Sequence, residues 1–295
     1  MVRAIFSFRT FIYLLYAVVL TAVLLYIRFP TEKFKLYCEK RIEHLLPPDS
    51  VCRIDRINYH FPMAVIVTNL QITEVVEGTH SHLLVSRLVV SPDLSNFLRA
   101  FALSGELYKG SFALKLTLDV PAKSFQLSDV HLKGFDMEKW ADDFSLLDRK
   151  VSGIVGFTGN YQGKYPSPLD GVGKGKLVIT DGNMELLQPV LSLSTFEFER
   201  IVVEMAHEKG VLGLTGGEVL GKEITADFNG EMKTTLPLVN STILLSGHLT
   251  PKEGFLAAHP AEQYVVEQLL RRYKTPVLPF KVGGSVKRPT FRFSM

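Results

Sequence analysis

The chain has 295 residues and a formal net charge of +3, with 33 lysines and arginines dispersed against 30 acidic residues. No run of bases forms the stripe that nucleic-acid binding requires, so a nucleic-acid partner is excluded at this level. Two cysteines, Cys38 and Cys52, are too few for a disulfide framework or a zinc site.

The first element is Phe11 to Ile27, FIYLLYAVVLTAVLLYI. As a helix it would be roughly 26 Å long, close to the hydrocarbon thickness of a bilayer. A helix apolar all round has no face to turn to water and must be buried in lipid or protein. Phe11, Leu14, Leu15, Val18, Val19, Leu20, Val23, Leu24, Leu25 and Ile27 would form the lipid-facing anchor, with tyrosines towards both ends and Arg9 and Arg28 reaching the headgroups. A cleaved signal peptide fits less well, since YIRFPTEKF offers no small-x-small site. The flanking charges leave the orientation open. Residues 1–29 are read as a stub and transmembrane anchor and 30–50 as a juxtamembrane helix. In that helix Phe34, Tyr37, Cys38, Ile42 and Leu45 share one face, and Pro47-Pro48 ends it. Cys38 and Cys52 either bridge across the short connection to the first strand or remain two thiols.

From Val51 the period changes from helical to alternating. VCRIDRI, AVIVTNLQI and HLLVSRLVV are strand-like, and GSFALKLTLDV alternates most clearly, with Phe112, Leu114, Leu116 and Leu118 on one face. Phe125 and Leu127 fall out of phase with Val130 and Leu132, which predicts a bulge near Ser128 to Asp129. Phe135 to Leu147 reads as a short amphipathic helix burying Phe135, Trp140, Phe144 and Leu147, with Asp142 and Asp143 turned to solvent. A glycine-rich stretch of short strands follows, where glycines mark bends, turns or close backbone approach. Further strands run from Phe196 to Met205 with a phase change midway, then Val211 to Thr215, Ile224 to Met232 and Ile243 to Leu249. Pro260 to Tyr273 is the last helix, burying Tyr264, Val265, Leu269 and Leu270, and LPFKVGGSVKRPTFRF closes the chain as two strands joined near Gly283 and Gly284.

About twelve strands with short connections imply a mainly β fold with an antiparallel sheet. A composition shift around 165–175 divides the β region into 51–165 and 166–295, either as two units or as one sheet running through. No nucleophile elbow, phosphate loop or metal-ligand cluster is present: His80-Ser81-His82 lacks a third ligand, and Gly171 to Lys176 leads into a strand. Neither catalysis nor a cofactor is expected.

The closing segment PFKVGGSVKRPTFRF, Pro279 to Phe293, resembles the terminal signature of AsmA-like proteins. The stretch GKGKLVITDGNMELL and the strands after it are similar to the type II secretion system protein N family (GspN), with Gly173, Gly175, Ile179 and Gly182 at that family's motif positions. The similarity covers Val151 to the C-terminus, and its motifs are structural. It implies a single-pass inner-membrane protein whose domain lies in the periplasm as a long curved antiparallel sheet with an apolar groove. Two functions are consistent with that. One is a non-enzymatic accessory component of type II secretion that binds other secretion subunits. The other is a lipid-binding or lipid-transfer module for phospholipid. Alternation puts Phe112, Leu114, Leu116, Leu118, Phe196, Phe198, Ile224, Phe228, Ile243, Leu245, Phe280 and Val282 on apolar faces that something must cover, either a dry closed core or lipid in an open groove.

Overall fold

The computed structural model describes residues 8–27, 30–44, 46, 50–60, 63–76, 79–93, 96, 99–144, 149–165, 167–235 and 240–294. Two helices, α1 (Phe8–Ile27) and α2 (Thr31–Glu43), precede β1 (Val51–His60), β2 (Ala64–Val76), β3 (Thr79–Pro92), β4 (Ala100–Leu107), β5 (Gly110–Asp119) and β6 (Ser124–Asp136). Helix α3 (Met137–Phe144) leads to β7 (Val151–Lys164), β8 (Ser167–Val190), β9 (Leu193–Glu208), β10 (Val211–Gly221), β11 (Ile224–Lys233) and β12 (Thr242–Pro251). Helices α4 (Glu253–Ala258) and α5 (Pro260–Tyr273) come before β13 (Leu278–Ser285) and β14 (Pro289–Phe293).

All fourteen strands form one antiparallel sheet in chain order, each pairing with its sequence neighbours. The expected mainly β, antiparallel architecture is what the chain adopts. Position 165/166, the candidate boundary, falls in the β7–β8 hairpin, where Lys164 pairs with Ser167 and the sheet is continuous.

A meander of this kind has two rims. The chain enters β1 from α2 at one rim, so every even strand ends there. The long connections from β6 through α3 and from β12 through α4 and α5 both emerge at that helix rim. The opposite rim holds only odd-to-even connections, at 61–63, 93–99, 120–123, 165–166, 209–210 and 234–241, while the last one, 286–288, lies against the start of β7, where the Val286 carbonyl accepts from the Arg149 guanidinium (3.3 Å). We call this opposite rim the turn rim.

Helix α2 guards the first edge of the sheet. Phe34, Cys38 and Ile42 pack against a cluster built on Cys52, Ile54, Ile57, Val67, Leu70 and Val85. One turn apart on the neighbouring stripe, the Lys35 Nζ donates to the Asp55 carbonyl (3.2 Å), while Glu39 accepts from the Ile54 N–H (2.8 Å) and Glu43 from the Cys52 N–H (3.1 Å). These are backbone groups that an edge strand leaves without a ladder partner. Tyr37, expected on the buried face, is exposed, and Leu45 lies outside the described residues.

Other expectations shift by a residue or two. Phe135 ends β6 rather than opening α3, because the Asp136 carboxylate accepts the Lys139 N–H (3.3 Å) and caps the helix there. Phe144 and Leu147 lie outside the described side chains. Helix α5 has the predicted bounds but buries Val266, with Leu269 and Leu270 half-buried, while Tyr264 and Val265 face out. Gly283 and Gly284 belong to β13, and the last turn falls at 286–288, where Ser285 Oγ accepts the Arg288 N–H. The bulge predicted near Ser128 to Asp129 is present as a register shift between Leu127 and Val130, with Asp129 at φ 51°.

Among the described residues no helix is long and apolar enough to cross a membrane. Helix α1 runs for 20 residues. Its Phe11, Leu14, Leu15, Val19, Leu20 and Leu24 are exposed, and the side chains of Val18, Val23, Leu25 and Ile27 lie outside the description.

The edge contacts of α2 give a direct expectation. Glu39→Ala strands the Ile54 N–H and should lower stability by about 1 kcal/mol in urea unfolding, whereas Glu39→Gln keeps an acceptor oxygen and should recover most of the loss.

Candidate functional site

The register decides which side chains share a face, because directly opposed residues in an antiparallel pair project the same way. Phe112 opposes Leu132, Leu132 opposes Phe157, Phe157 opposes Leu177, and Leu177 opposes Val203. Two residues along β9, Ile201 opposes Val219, which leads through Ala226 and Leu249 to Leu278. Leu114, Leu116 and Leu118 follow Phe112 at alternate positions, as do Ile224 and Phe228 about Ala226, Ile243 and Leu245 before Leu249, and Phe280 and Val282 after Leu278. Phe196 and Phe198 join the face through a phase break between Phe198 and Ile201, matched on β8 by Asp181 at φ 50°. All twelve candidate groove residues therefore lie on one face spanning the sheet from β5 to β13.

The opposite face is mixed, carrying exposed ion pairs beside exposed Val172, Leu220 and Leu244. Lys115 pairs with Asp129 (2.9 Å) and His248 with Asp227 (3.1 Å), all exposed. The Lys115 ammonium holds the Asp129 carboxyl below its usual range.

Burial divides the apolar face into three regions. At the first end α2 closes the cluster already described, with Phe112 at its margin. At the other end, Val190, Leu191, Ile224, Leu249, Phe255, Val266, Leu278 and Phe280 form a second buried cluster under α4 and α5. Here β8 comes back into contact with β14, and Leu186, Phe291 and Phe293 pack on the same cluster. Between the two, Leu114, Leu116, Leu118, Ile243 and Leu245 are half-buried and belong to neither cluster. The middle region contains a cavity of about 370 Å³ walled by Leu127, Val130, Phe157, Met205 and Leu212, with Tyr161 and His207 among its lining.

Tyr161 and His207, two of the polar side chains lining that cavity, are held by hydrogen bonds. Tyr161 OH donates to the Pro168 carbonyl. His207 Nδ1 lies 3.1 Å from the Gly171 carbonyl, so that nitrogen carries a proton, and Nε2 lies 3.3 Å from Thr234 Oγ1. The walls of the cavity offer apolar contact. Glycines deepen its floor: a Cβ at Gly175 would overlap the Phe157 ring, and one at Gly173 the Tyr161 ring. Gly182, at the third motif glycine, lies under the Phe198 ring in the same way. None of these glycines makes a turn, and Gly171 to Lys176 is an unbroken part of β8.

The remaining candidates are dispersed. Cys38 and Cys52 are free thiols packed into the same cluster under α2. His82 Nδ1 lies 3.1 Å from Thr73 Oγ1, and the His80 side chain lies outside the description. No group of three metal-ligating side chains occurs among the described residues. Asp142 is exposed as expected, but Asp143 is half-buried and acts on the Tyr108 phenol. Tyr108 was missed by sequence reading. It sits at φ 47° in a two-residue turn, its ring edge-on to Phe135 at 5.5 Å, and its hydroxyl donates to the His82 carbonyl (2.8 Å). It ties the β4–β5 turn to β3 and β6, and no local pattern marks it.

The chain matches no protein-family profile, no curated protein and no solved structure.

Two buried acids set an alkaline limit on stability. Burial, followed by the charges of Glu39 and Glu43, pushes the Cys52 thiol from its ordinary value near 9 up to about 11. Burial likewise pushes the Tyr108 phenol up to about 12. Both groups are neutral in the folded chain while the unfolded chain ionises first. Their stabilisation is complete below the unfolded values and lost as pH rises through the folded ones. The melting temperature should fall steadily from about pH 9 upward, and the fall should be shallower in Cys52→Ala.

Proposed function

We propose that this protein is a membrane-anchored lipid-binding module whose apolar sheet face holds phospholipid acyl chains. The observation that carries the reading is the half-buried strip from β5 to β12, which belongs to neither of the two closed clusters and is approached only by α3, packed on β3 and β7. Such a strip is costly in water and gains about 25 cal/mol for each Å² that an acyl chain covers. A groove of this kind needs no catalytic group.

In this reading α1 is the anchor. Its Phe11, Leu14, Leu15, Val19, Leu20 and Leu24 are exposed, and a 20-residue helix spans about 30 Å. The domain would then lie in the periplasm of a cell with two membranes, as the AsmA-like resemblance implies, and the sheet would curve around its cargo. The secretion role implied by the type II secretion protein N resemblance rests on that resemblance alone. Deleting the gene and assaying export of folded exoproteins tests it, and unimpaired export would remove it.

The lipid reading is tested on the full chain, extracted from membranes in mild detergent and examined by native mass spectrometry. Stoichiometric phospholipid is expected on the parent and should be lost in a Leu116→Gln, Leu127→Gln variant with a nearly unchanged melting temperature. A lipid-free, well-folded parent overturns the proposal. The two regions should also respond differently to truncation: Leu116→Ala, in the strip, should cost about 1 kcal/mol, and Phe280→Ala, in the closed cluster, about 3–5 kcal/mol.

A further inference from the structure

We infer that the turn rim is a docking edge for a bilayer surface containing anionic phospholipid. From β3 to β12 every odd-to-even turn, or the strand residue bounding it, supplies a base: Arg99, Lys123, Lys164, Lys209 and Lys233. All five are exposed. The acids in the same segments are Asp93, Asp119 and Glu208, and Glu208 pairs with Lys209 at 3.5 Å with both side chains largely in water. Five bases against three acids leave this rim a basic excess of +2. The helix rim has no such excess, because Glu138, Asp142 and Asp143 of α3 and Glu253, Glu262 and Glu267 of α4 and α5 offset its bases.

The second observation is the apolar half of the same turns. Met63, Val120, Tyr165 and Val211 stand at or beside the turn tips with 43%, 69%, 45% and 37% of their surface exposed. Val120 precedes Lys123, Tyr165 follows Lys164, and Val211 follows Lys209, so a base accompanies an exposed apolar side chain in three turns. An acidic protein surface would use the bases but leave the apolar tips wet. A lipid headgroup region takes both, the tips entering the acyl boundary while the bases meet phosphates. The central cavity lies towards this rim, since its walls include Leu127, Leu212 and Thr234, each close to an odd-to-even connection. The inference stands on the rim's own residues and would hold if the apolar face carried no lipid.

The test uses the full chain reconstituted into phosphatidylcholine nanodiscs and floated with labelled vesicles of phosphatidylcholine alone or with phosphatidylglycerol. Recruitment to the anionic vesicles should exceed that to neutral ones by at least about tenfold and weaken with added salt. The variant Lys123→Glu, Lys164→Glu, Lys209→Glu should lose it at an unchanged melting temperature. A second variant, Val120→Ser with Tyr165→Ser, keeps every charge and should weaken recruitment several-fold. Recruitment indifferent to vesicle charge, or retained in the charge-reversed variant, overturns the inference. So does recruitment unaffected by loss of the apolar tips, which would leave the bases to an acidic protein partner. Lipid bound in native mass spectra bears only on the apolar face, so the two proposals fail separately.

Discussion

Every strand of this sheet pairs with its neighbours in sequence, and that connectivity decides where anything else can go. In an antiparallel meander the even strands end at one rim, so a connection long enough to carry a helix can emerge there only after an even strand. Helices α3, α4 and α5 do so, following β6 and β12. The turn rim receives short connections and no described helix. The helices cover what lies within their reach. Helix α2 closes β1 to β3, and α4 and α5 close the last strands, where β14 also returns to β8. The middle strands are left half-covered by the same rule that covers the ends.

A second constraint sets the depth of the apolar face. Large rings on a flat pleated surface would stand upright and crowd one another across strands that are about 4.8 Å apart. Here glycines opposite them remove the Cβ that would hold a ring away, and the rings lie down along the sheet. Phe198 lies over Gly182, Phe157 over Gly175 and Phe228 over Gly217. A methyl group at any of these positions would push a ring into the space above the strands. The glycine-rich stretch of the sequence is thus a flooring for aromatic side chains, one strand away, rather than a series of bends.

The antiparallel class and most strands were legible because alternation is a local signal, and GSFALKLTLDV displays it without help from tertiary context. The bulge at Asp129 was legible for the same reason, as a break in phase. Strand β4 was missed, and so was Tyr108, because the β4–β5 hairpin turns through Tyr108 and Lys109 at φ 47° and 62° without the Asn-Gly or Asp-Gly signal that marks such turns. Helix α5 was placed correctly but buries Val266 instead of Val265, since which stripe of a helix is buried depends on what it lands on. The shared face of the twelve candidates could be guessed strand by strand. Their continuity could not, because it depends on registers set by bulges in both partners of a pair. The basic rim was invisible for a related reason. Its members are tens of residues apart, and only the parity of the strands brings Lys123, Lys164 and Lys209 to one edge.

An amphipathic sheet of this width, about 60 Å across fourteen strands at 4.8 Å each, has few ways to be stable in water. It can close on itself, be covered by helices, or bind something apolar. The C-terminal strands combine the first two, and the result is a cluster in which Leu278 is fully buried. The central strands are met only by α3, which packs on β3 and β7, and Leu114, Leu116 and Leu118 stay half-buried outside both closed clusters. Natural edges are handled with more care than this face: α2 spends Lys35, Glu39 and Glu43 on the backbone of β1, and β14 is short and begins with Pro289. A chain that guards its edges against unwanted pairing but leaves leucines half-buried in its middle fits the proposal of an apolar occupant on that face. The tyrosine and lysines at the adjoining rim suit the surface from which such an occupant would come.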